Sequence, residues 1–271
     1  MADTYWYKQT SQKPLFEDLL WSRPENKRQA GKLLIVGGNL HGFAAPAAAY
    51  AAAEQAGIGV ARILLPDKLE KTVGRMIAEA EFAPSTPSGS FSKKALAALT
   101  DNAAWADAVL LAGDFGRNSE TAILLDSFMT KHKGQIIVAG DGLDYFLGKS
   151  SPLISRIDTT SVINLGKLQK LAKNNRPSTP VFNRMMLTEI IELLHDWTSG
   201  NPGELVTKHL ENFIVASGGS VSSIPAPEES NWQIELGAYA SVWRLQNTQA
   251  AFKALTTAVF DMQTSTGGEA I

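Results

Sequence analysis

Glycines and carboxylates follow several apolar runs of this sequence, at the places where buried strands are expected to end. The segments are KLLIVGGNLHG (32–42), ADAVLLAGDFG (106–116), GQIIVAGDGLD (134–144) and NFIVASGGS (212–220). Ligands of open α/β sheets bind at the carboxyl ends of the strands. Glycine lets backbone amides approach an anion closely, and a following helix N-terminus favours negative charge. Together the turns predict a cleft for a phosphorylated or polyhydroxylated small molecule.

The common nucleotide, hydrolase and metal motifs are missing. The sequence has no G-x-x-x-x-G-K-[ST] loop, and Asn39 stands where a dinucleotide fingerprint requires its second glycine. It has no G-x-S-x-G elbow, so a hydrolase triad is unsupported. The histidines (His41, His132, His195 and His209) are scattered and there are no cysteines. We therefore predict no metal site, no disulfide and no thiolate nucleophile.

Strands that alternate with helices must position these turns. The predicted strands are 32–38, 60–66, 106–116, 134–146 with its end at Asp141, 159–165, and a pair within 212–224. The predicted helices are 44–57, 93–103, 118–132, 179–198, and 237–263 as one long helix or a helix pair. This alternation predicts an α/β fold in which a mostly parallel sheet lies between helices on both faces.

Length and composition set further bounds. The chain has 271 residues, a net charge of −2 and 44% hydrophobic residues, which suffices for one large domain and argues against a nucleic-acid-binding surface. The sequence has no apolar run of the ~20 residues that a membrane helix needs and no signal peptide, so we expect a cytoplasmic protein that does not bind membranes. We divide it into an N-terminal arm (1–30), a single domain (31–263) and a flexible tail (264–271). The arm is rich in aromatics, namely Tyr5, Trp6, Tyr7, Phe16 and Trp21, which we expect to pack onto the body.

Several motifs in order resemble those of one family. GGNLHGFAAP (37–46) resembles the family's strand-end "GGS" and Gly-Ala-Pro run at the same spacing, and ADAVLLAGDFGRNSET (106–121) resembles "ADAVVIGPGLGRDEET". IIVAGDGLD (136–144) resembles "LVLDADALN", and NFIVASGGSVSSI (212–224) resembles the strand pair that carries "VLKGAGTVI". Over residues 22–262 the chain therefore resembles the ribokinase-like fold, and specifically the ADP- or ATP-dependent NAD(P)H-hydrate dehydratases.

The resemblance implies a three-layer α/β/α fold in which a nucleotide and a damaged nicotinamide dinucleotide meet at the strand ends. It implies ATP or ADP as cofactor, with Mg²⁺ accompanying the phosphates, and a nucleotide-like or dinucleotide-like small molecule as the partner. Asp141 is the candidate for catalysis or for a Mg²⁺-bound phosphate. The expected ligand-binding residues are Gly37, Gly38, Asn39, His41, Phe43, Ala45, Gly113, Gly116, Asp141, Asn164, Ser217 and Gly218.

The departures from the family pattern fall on its catalytic elements. The family's "TPHPGEF" loop aligns with VINLGKL (162–168), where Asn164 replaces histidine and Lys167 replaces glutamate. The lysine of the family's "LKG" falls near Ser217. The "GGTGD" turn, whose amides bind the transferring phosphoryl group and whose acid is the base, aligns with WQIELGAY and retains only Gly237. Loss of one such donor costs about 10²–10³ in rate, and loss of a general base about 10²–10⁴.

Three hypotheses follow from the sequence. The first is a ligand-binding relative of the dehydratases with weakened or lost phosphoryl chemistry. The second is an active dehydratase whose acid is Asp141 or Glu235. The third is a non-catalytic oligomerisation module, because the aromatic segment of residues 5–21 could exchange between copies. A homo-oligomer is expected.

Overall fold

The computed structural model describes residues 4–74, 77–175, 180–226 and 232–266, and it contains a ten-stranded sheet with helices on both faces. This confirms the predicted three-layer α/β/α class. The strands are β1 (Trp6–Lys8), β2 (Lys32–Gly37), β3 (Val60–Pro66), β4 (Ala80–Ala83), β5 (Ala108–Gly113), β6 (Gln135–Val138), β7 (Thr159–Asn164), β8 (Glu204–His209), β9 (Asn212–Ser217) and β10 (Ser220–Pro225).

Ten α-helices and three short 3₁₀ helices connect these strands. The α-helices are α1 (Glu17–Trp21), α2 (Ala44–Gln55), α3 (Glu70–Val73), α4 (Leu96–Trp105), α5 (Ser119–Lys131), α6 (Pro152–Ser155), α7 (Leu165–Asn175), α8 (Leu187–Gly200), α9 (Trp232–Gln246) and α10 (Ala251–Thr266). The 3₁₀ helices are Asp67–Leu69, Lys93–Ala95 and Gly140–Phe146. The counts refer to the described parts of the chain.

The sheet order is β1-β10-β9-β8-β7-β6-β5-β2-β3-β4. Strands β4, β3, β2, β5, β6, β7 and β8 are mutually parallel, so their carboxyl ends share one edge. Strand β9 runs antiparallel to β8 and to β10. The turn between β9 and β10 therefore lies at the opposite edge, beside the start of β8.

The core forms on both faces because the central strands are apolar along their whole length. Leu34 and Val36 of β2 point into one cluster, and Leu33 and Ile35 into the other, as the two-residue period of a strand requires. Helices α4, α5, α7 and α8 cover the first face, and α2, α9 and α10 cover the second. The alanines of α2 let α9 pack closely beside it.

Part of the N-terminal arm joins the sheet, and Tyr5, Trp6 and Phe16 pack against the core as expected. Strand β1 pairs in parallel with β10, and the Trp6 indole donates to Ser223 Oγ at 2.9 Å. The Tyr5 ring stacks on His195 with ring centroids 3.9 Å apart. Trp21, however, is 87% exposed, so the expectation that it packs onto the body is wrong.

Some predicted elements have different limits. Strand β6 ends at Val138, and Asp141 lies in the 3₁₀ helix that follows. Of the two alternatives for 237–263, the helix pair is confirmed, although its first helix already begins at Trp232. Helix α8 begins at Leu187; residue 179 of its predicted range lies outside the described residues. Helix α10 runs to Thr266, within the segment expected to be a flexible tail, while 267–271 lie outside the described part.

Candidate functional site

The loops that follow β2, β5, β6 and β7 meet at the carboxyl edge of the sheet. The Gly38 amide donates to the Gly113 carbonyl at 2.9 Å, which joins the β2 and β5 loops. The Asp141 carboxylate accepts from the Phe115 and Gly116 amides at 3.3 and 3.2 Å, which joins the β5 and β6 loops. The structure thus brings together the predicted residues of the first three turns.

The loop after β2 keeps its backbone donors for itself. The amide of each residue from Gly38 to Gly42 donates to an acceptor within the protein, including the Asn39 side chain, which accepts from His41. An amide already paired in this way adds little to anion binding, because the existing hydrogen bond would have to break. The expectation that this glycine turn offers free amides to a phosphate is therefore not met.

Two polar side chains tie this loop to the one after β5. Asn39 Nδ2 donates to the Asp114 carbonyl at 2.6 Å, and Asp114 Oδ2 accepts from the Ala45 amide at 2.7 Å. Ala45 lies in the first turn of α2, where an unpaired amide and the helix dipole favour an anion. Asp114 has a left-handed backbone, with φ of 58°. The protein's own carboxylate thus fills the anion position of α2.

Asp141 is the second carboxylate at this edge that accepts from backbone amides, and it accepts from two of them. Desolvation by burial raises the pKa of this carboxyl above its ordinary value of 3.8, although the hydrogen bonds from Phe115 and Gly116 act in the opposite direction. Each carboxylate oxygen has a further lone pair, and the residue is only partly buried. Asp141 is therefore an anchor of the β5 loop that still faces the cleft beside it.

Two glycines at the strand ends are required by backbone packing. A Cβ on Gly37 would lie 2.4 Å from the Gly113 carbonyl oxygen. Gly113 has a φ of 126°, and a Cβ there would meet Asp141 Oδ1 at 3.2 Å. Close packing of β2 against β5 demands glycine at position 37, and the backbone conformation favours glycine at position 113. These residues alone therefore do not indicate a ligand.

Residues after β7 and at the start of α9 form the next part of the edge. Asn164 Oδ1 accepts from the Lys167 amide at 2.9 Å, which stabilises the first turn of α7. Gln233 of α9 donates to the Val162 carbonyl at 3.2 Å, and Asn164 Nδ2 lies 3.5 Å from Gln233 Oε1. An amide side chain thus occupies the place where α9 meets β7. Gln233 was not predicted from the sequence, because the alignment of the family's GGTGD turn with WQIELGAY drew attention to Gly237 alone.

Gly237 serves helix–sheet packing. It lies in the second turn of α9, and a Cβ there would be 3.0 Å from Ala139 Cβ and 3.4 Å from Leu110 Cδ1. It is therefore not a remnant of a glycine turn ahead of the helix. The sequence itself has no glycine between Ser220 and Leu236.

The remaining predicted residues divide between the two edges. His41 is exposed in the β2 loop, and Phe43 is partly buried against the core at the N-cap of α2. Ser217 and Gly218 lie at the opposite edge, because β9 is antiparallel to β8, so their assignment to the cleft is wrong.

The residue of this part of the sheet that does lie at the carboxyl edge is Lys208 of β8, which pairs in register with Asn164. The signal for this strand, ELVTKH, is weak, because Leu205 and Val206 are its only apolar residues.

An open groove of about 1160 Å³ adjoins this edge through Gly116 and Asp141. One wall is the β5–α5 loop with Arg117, and the other is α7. The remaining lining residues are Asn118, Ser119, Asp144, Tyr145, Leu147, Gly148, Lys167, Lys170, Lys173 and Asn174. The Lys167 ammonium donates to the Gly140 carbonyl at 2.7 Å and pairs with Asp144 at 3.1 Å. The groove lies on the face covered by α5 and α7.

The residues in place do not fit a dedicated cation site. Over the described ranges, no group of three or more His, Cys, Asp or Glu is placed to hold a metal ion. A Mg²⁺ ion would need ligands from a bound phosphate. No described helix is long and apolar enough to cross a membrane.

Comparisons with known proteins rest on structure, since no protein-family model and no curated protein matches the sequence. A ribokinase-like superfamily protein from Enterococcus faecalis matches with a TM-score of 0.69 at 14% identity, over 96% of this chain and 88% of that chain. An ADP/ATP-dependent NAD(P)H-hydrate dehydratase from Bacillus subtilis, co-crystallised with ATP/Mg²⁺, matches with a TM-score of 0.62 at 14% identity. The match covers 91% of this chain and 86% of that chain.

A pyridoxal kinase from Staphylococcus aureus matches more weakly, with a TM-score of 0.51 at 10% identity over 84% of each chain. At such identities the likeness concerns the fold alone. The chain has the ribokinase-like fold.

Proposed function

We propose that this protein is a divergent relative of the NAD(P)H-hydrate dehydratases that binds a nucleotide-like or dinucleotide-like small molecule and has lost most phosphoryl-driven turnover. The observation that carries the proposal is Gln233, which hydrogen bonds to the end of β7 where α9 begins. The family pattern calls for a glycine turn and an acid at the start of this helix. An amide side chain cannot act as a base.

The hydrogen bonds that two carboxylates accept at the carboxyl edge of the sheet support the same conclusion. Asp114 and Asp141 accept from three backbone amides that would otherwise attract a phosphoryl group. Negative charge at these positions repels a transferring phosphate. With an anion-binding donor and a base both lost, turnover is expected to fall by about 10⁴-fold or more.

Retained binding is supported by the groove beside Asp141. Its volume of about 1160 Å³ is ample for a nucleotide, and it combines charged groups with the Tyr145 ring and Leu147. In the family's reaction, ATP or ADP would supply the phosphate that drives loss of water from the hydrated ring. Here the chain's own residues would bind and orient the ligand, and Gln233 stands in place of a base where α9 meets β7.

Calorimetry with ADP, ATP, NAD⁺ and NADH, together with recovery of NADH absorbance from its hydrate, tests the proposal. We expect binding of at least one ligand and no nucleotide-dependent turnover at high protein concentration. Binding of none would overturn the retained cleft, and turnover would overturn the lost chemistry.

The second hypothesis, an active dehydratase that uses Asp141, has one observation in its favour. The Asp141 carboxyl faces the groove and has a raised pKa, as a general base often does. Nucleotide-dependent recovery of NADH that is abolished in Asp141→Ala would support this alternative. Turnover unaffected by that substitution would exclude Asp141 as the base.

A further inference from the structure

The groove beside Asp141 carries an uneven charge. Its lining includes four basic residues, Arg117, Lys167, Lys170 and Lys173, and two acidic ones, Asp141 and Asp144. The chain as a whole has a net charge of −2. Positive charge is thus concentrated in this concave surface.

Three of the four cations have no acidic partner among the residues that the structure describes. In the described ranges, the only ion pair made by a basic residue of the groove is that of Lys167 with Asp144. Arg117, Lys170 and Lys173 are exposed, and no carboxylate within the described chain neutralises them. Like charges that line one concavity repel each other, so a bound anion would relieve an unfavourable arrangement.

Both walls contribute to the positive potential. Helix α7 buries Leu168, Leu171 and Ala172 and turns its lysines outward, as an amphipathic helix does. On a convex surface this would be an ordinary solvated face. Here the lysines line a groove whose other wall holds Arg117 and the N-terminus of the 13-residue α5. Since Asn118 accepts from the Glu120 and Thr121 amides, α5 supplies its dipole and not those donors.

We propose that this groove binds the phosphate groups of a di- or polyphosphate small molecule through Arg117, Lys170 and Lys173. This inference rests on the proposed function, because it locates the anionic part of the ligand. It moves that part away from the start of α9 and onto the opposite face of the sheet, between α5 and α7. Ammonium and guanidinium groups are the usual donors to phosphate oxygens.

Inorganic pyrophosphate and tripolyphosphate are the probes for isothermal titration calorimetry of the full chain. We expect binding that weakens at higher ionic strength and that falls about tenfold or more in Lys170→Ala/Lys173→Ala, since a hydrogen bond to a charged group contributes ~1.5–3 kcal/mol. The matched control is Lys131→Ala/Lys133→Ala, which removes the same charge at the C-terminal end of α5, about 20 Å from the helix N-terminus that borders the groove. We expect the control to bind like the wild type.

A second variant tests for a gain of affinity, which misfolding cannot produce. Asp144→Asn removes the acid that pairs with Lys167. We expect pyrophosphate to bind about two- to fivefold more tightly, because a nearby negative charge is lost. Unchanged or weaker binding would contradict the proposal.

The outcomes separate this inference from the proposed function. Nucleotide or dinucleotide binding that is unaffected by Lys170→Ala/Lys173→Ala would overturn the groove and leave the proposed function standing. Loss of all binding in the wild type would overturn both. Binding of a single-stranded oligonucleotide without binding of pyrophosphate or tripolyphosphate would overturn the assignment to a small molecule.

Discussion

Asp114 and Ala45 are joined by a hydrogen bond of 2.7 Å between the carboxylate and the backbone amide in the first turn of α2. The Asp114 side chain, which lies just after β5, thereby caps the N-terminus of α2. It also explains why an aspartate is placed in a left-handed backbone, since Asp and Asn adopt this conformation more readily than most residues.

We predict that Asp114→Asn lowers the free energy of unfolding by about 0.3–1 kcal/mol, because the helix dipole loses a negative charge while the backbone preference is kept. Urea unfolding measures this. Asp126→Asn, at an exposed position within α5, is the control and should change stability less. Equal effects of the two substitutions would mean that the contact with Ala45 contributes nothing.

The pKa of Asp141 predicts a pH dependence of stability. Burial raises this pKa above its ordinary value of 3.8, so the folded state binds the proton more tightly than the unfolded state does. The resulting stability is complete below the unfolded pKa and is lost as the pH rises through the folded one. The unfolding free energy of Asp141→Asn relative to the wild type should therefore increase as the pH rises from 3.8 through the raised pKa.

Chemical denaturation over this range of pH, with Asp126→Asn as control, checks the sign. A relative free energy that falls as the pH rises would mean that the hydrogen bonds from Phe115 and Gly116 outweigh desolvation. The pKa would then be lowered, contrary to our assignment.

Much of the fold could be predicted from the sequence. Strand β3 has the predicted limits, and β2 and β7 each end one residue earlier than predicted. Asn118 caps α5, as its residue type suggests. Strand β8 was not predicted because only two of the six residues in ELVTKH are apolar. That omission placed the glycine turn after β9 at the wrong edge, since each added antiparallel strand reverses the chain direction.

The site was harder to predict, because its character depends on which partner each polar group finds. The sequence shows glycines at the ends of β2 and β5, but not that the amides from Gly38 to Gly42 are already paired. The basic side of α7 was visible as lysines three residues apart in GKLQKLAK. The alignment of VINLGKL with the family's TPHPGEF loop covers only the first of these lysines, so it does not show the helical period.

Gly237 provides a test of helix–sheet packing. We predict that Gly237→Ala lowers the free energy of unfolding by about 1–3 kcal/mol, because its Cβ would lie 3.0 Å from that of Ala139, which the sheet holds in place. Thermal or urea unfolding measures the change. Gly200→Ala at the end of α8 has open space around it and should be neutral or stabilising. If both variants were equally stable, α9 would not be limited by its distance from the sheet.

The buried pair of Arg244 and Glu204 sits near the opposite edge of the sheet and offers a prediction on stability alone. Arg244 donates to both carboxylate oxygens of Glu204, at 2.9 and 3.0 Å, and both side chains are buried. Arg244→Met should lower the free energy of unfolding by about 3–5 kcal/mol, because Glu204 is left buried without its partner. The double variant Arg244→Met/Glu204→Leu should recover most of the loss, since removal of both charges also removes their desolvation cost. Chemical denaturation of the two single variants and the double variant measures the coupling. Additive losses would show that the two side chains stabilise the fold independently, through contacts such as that of Arg244 with Asp158.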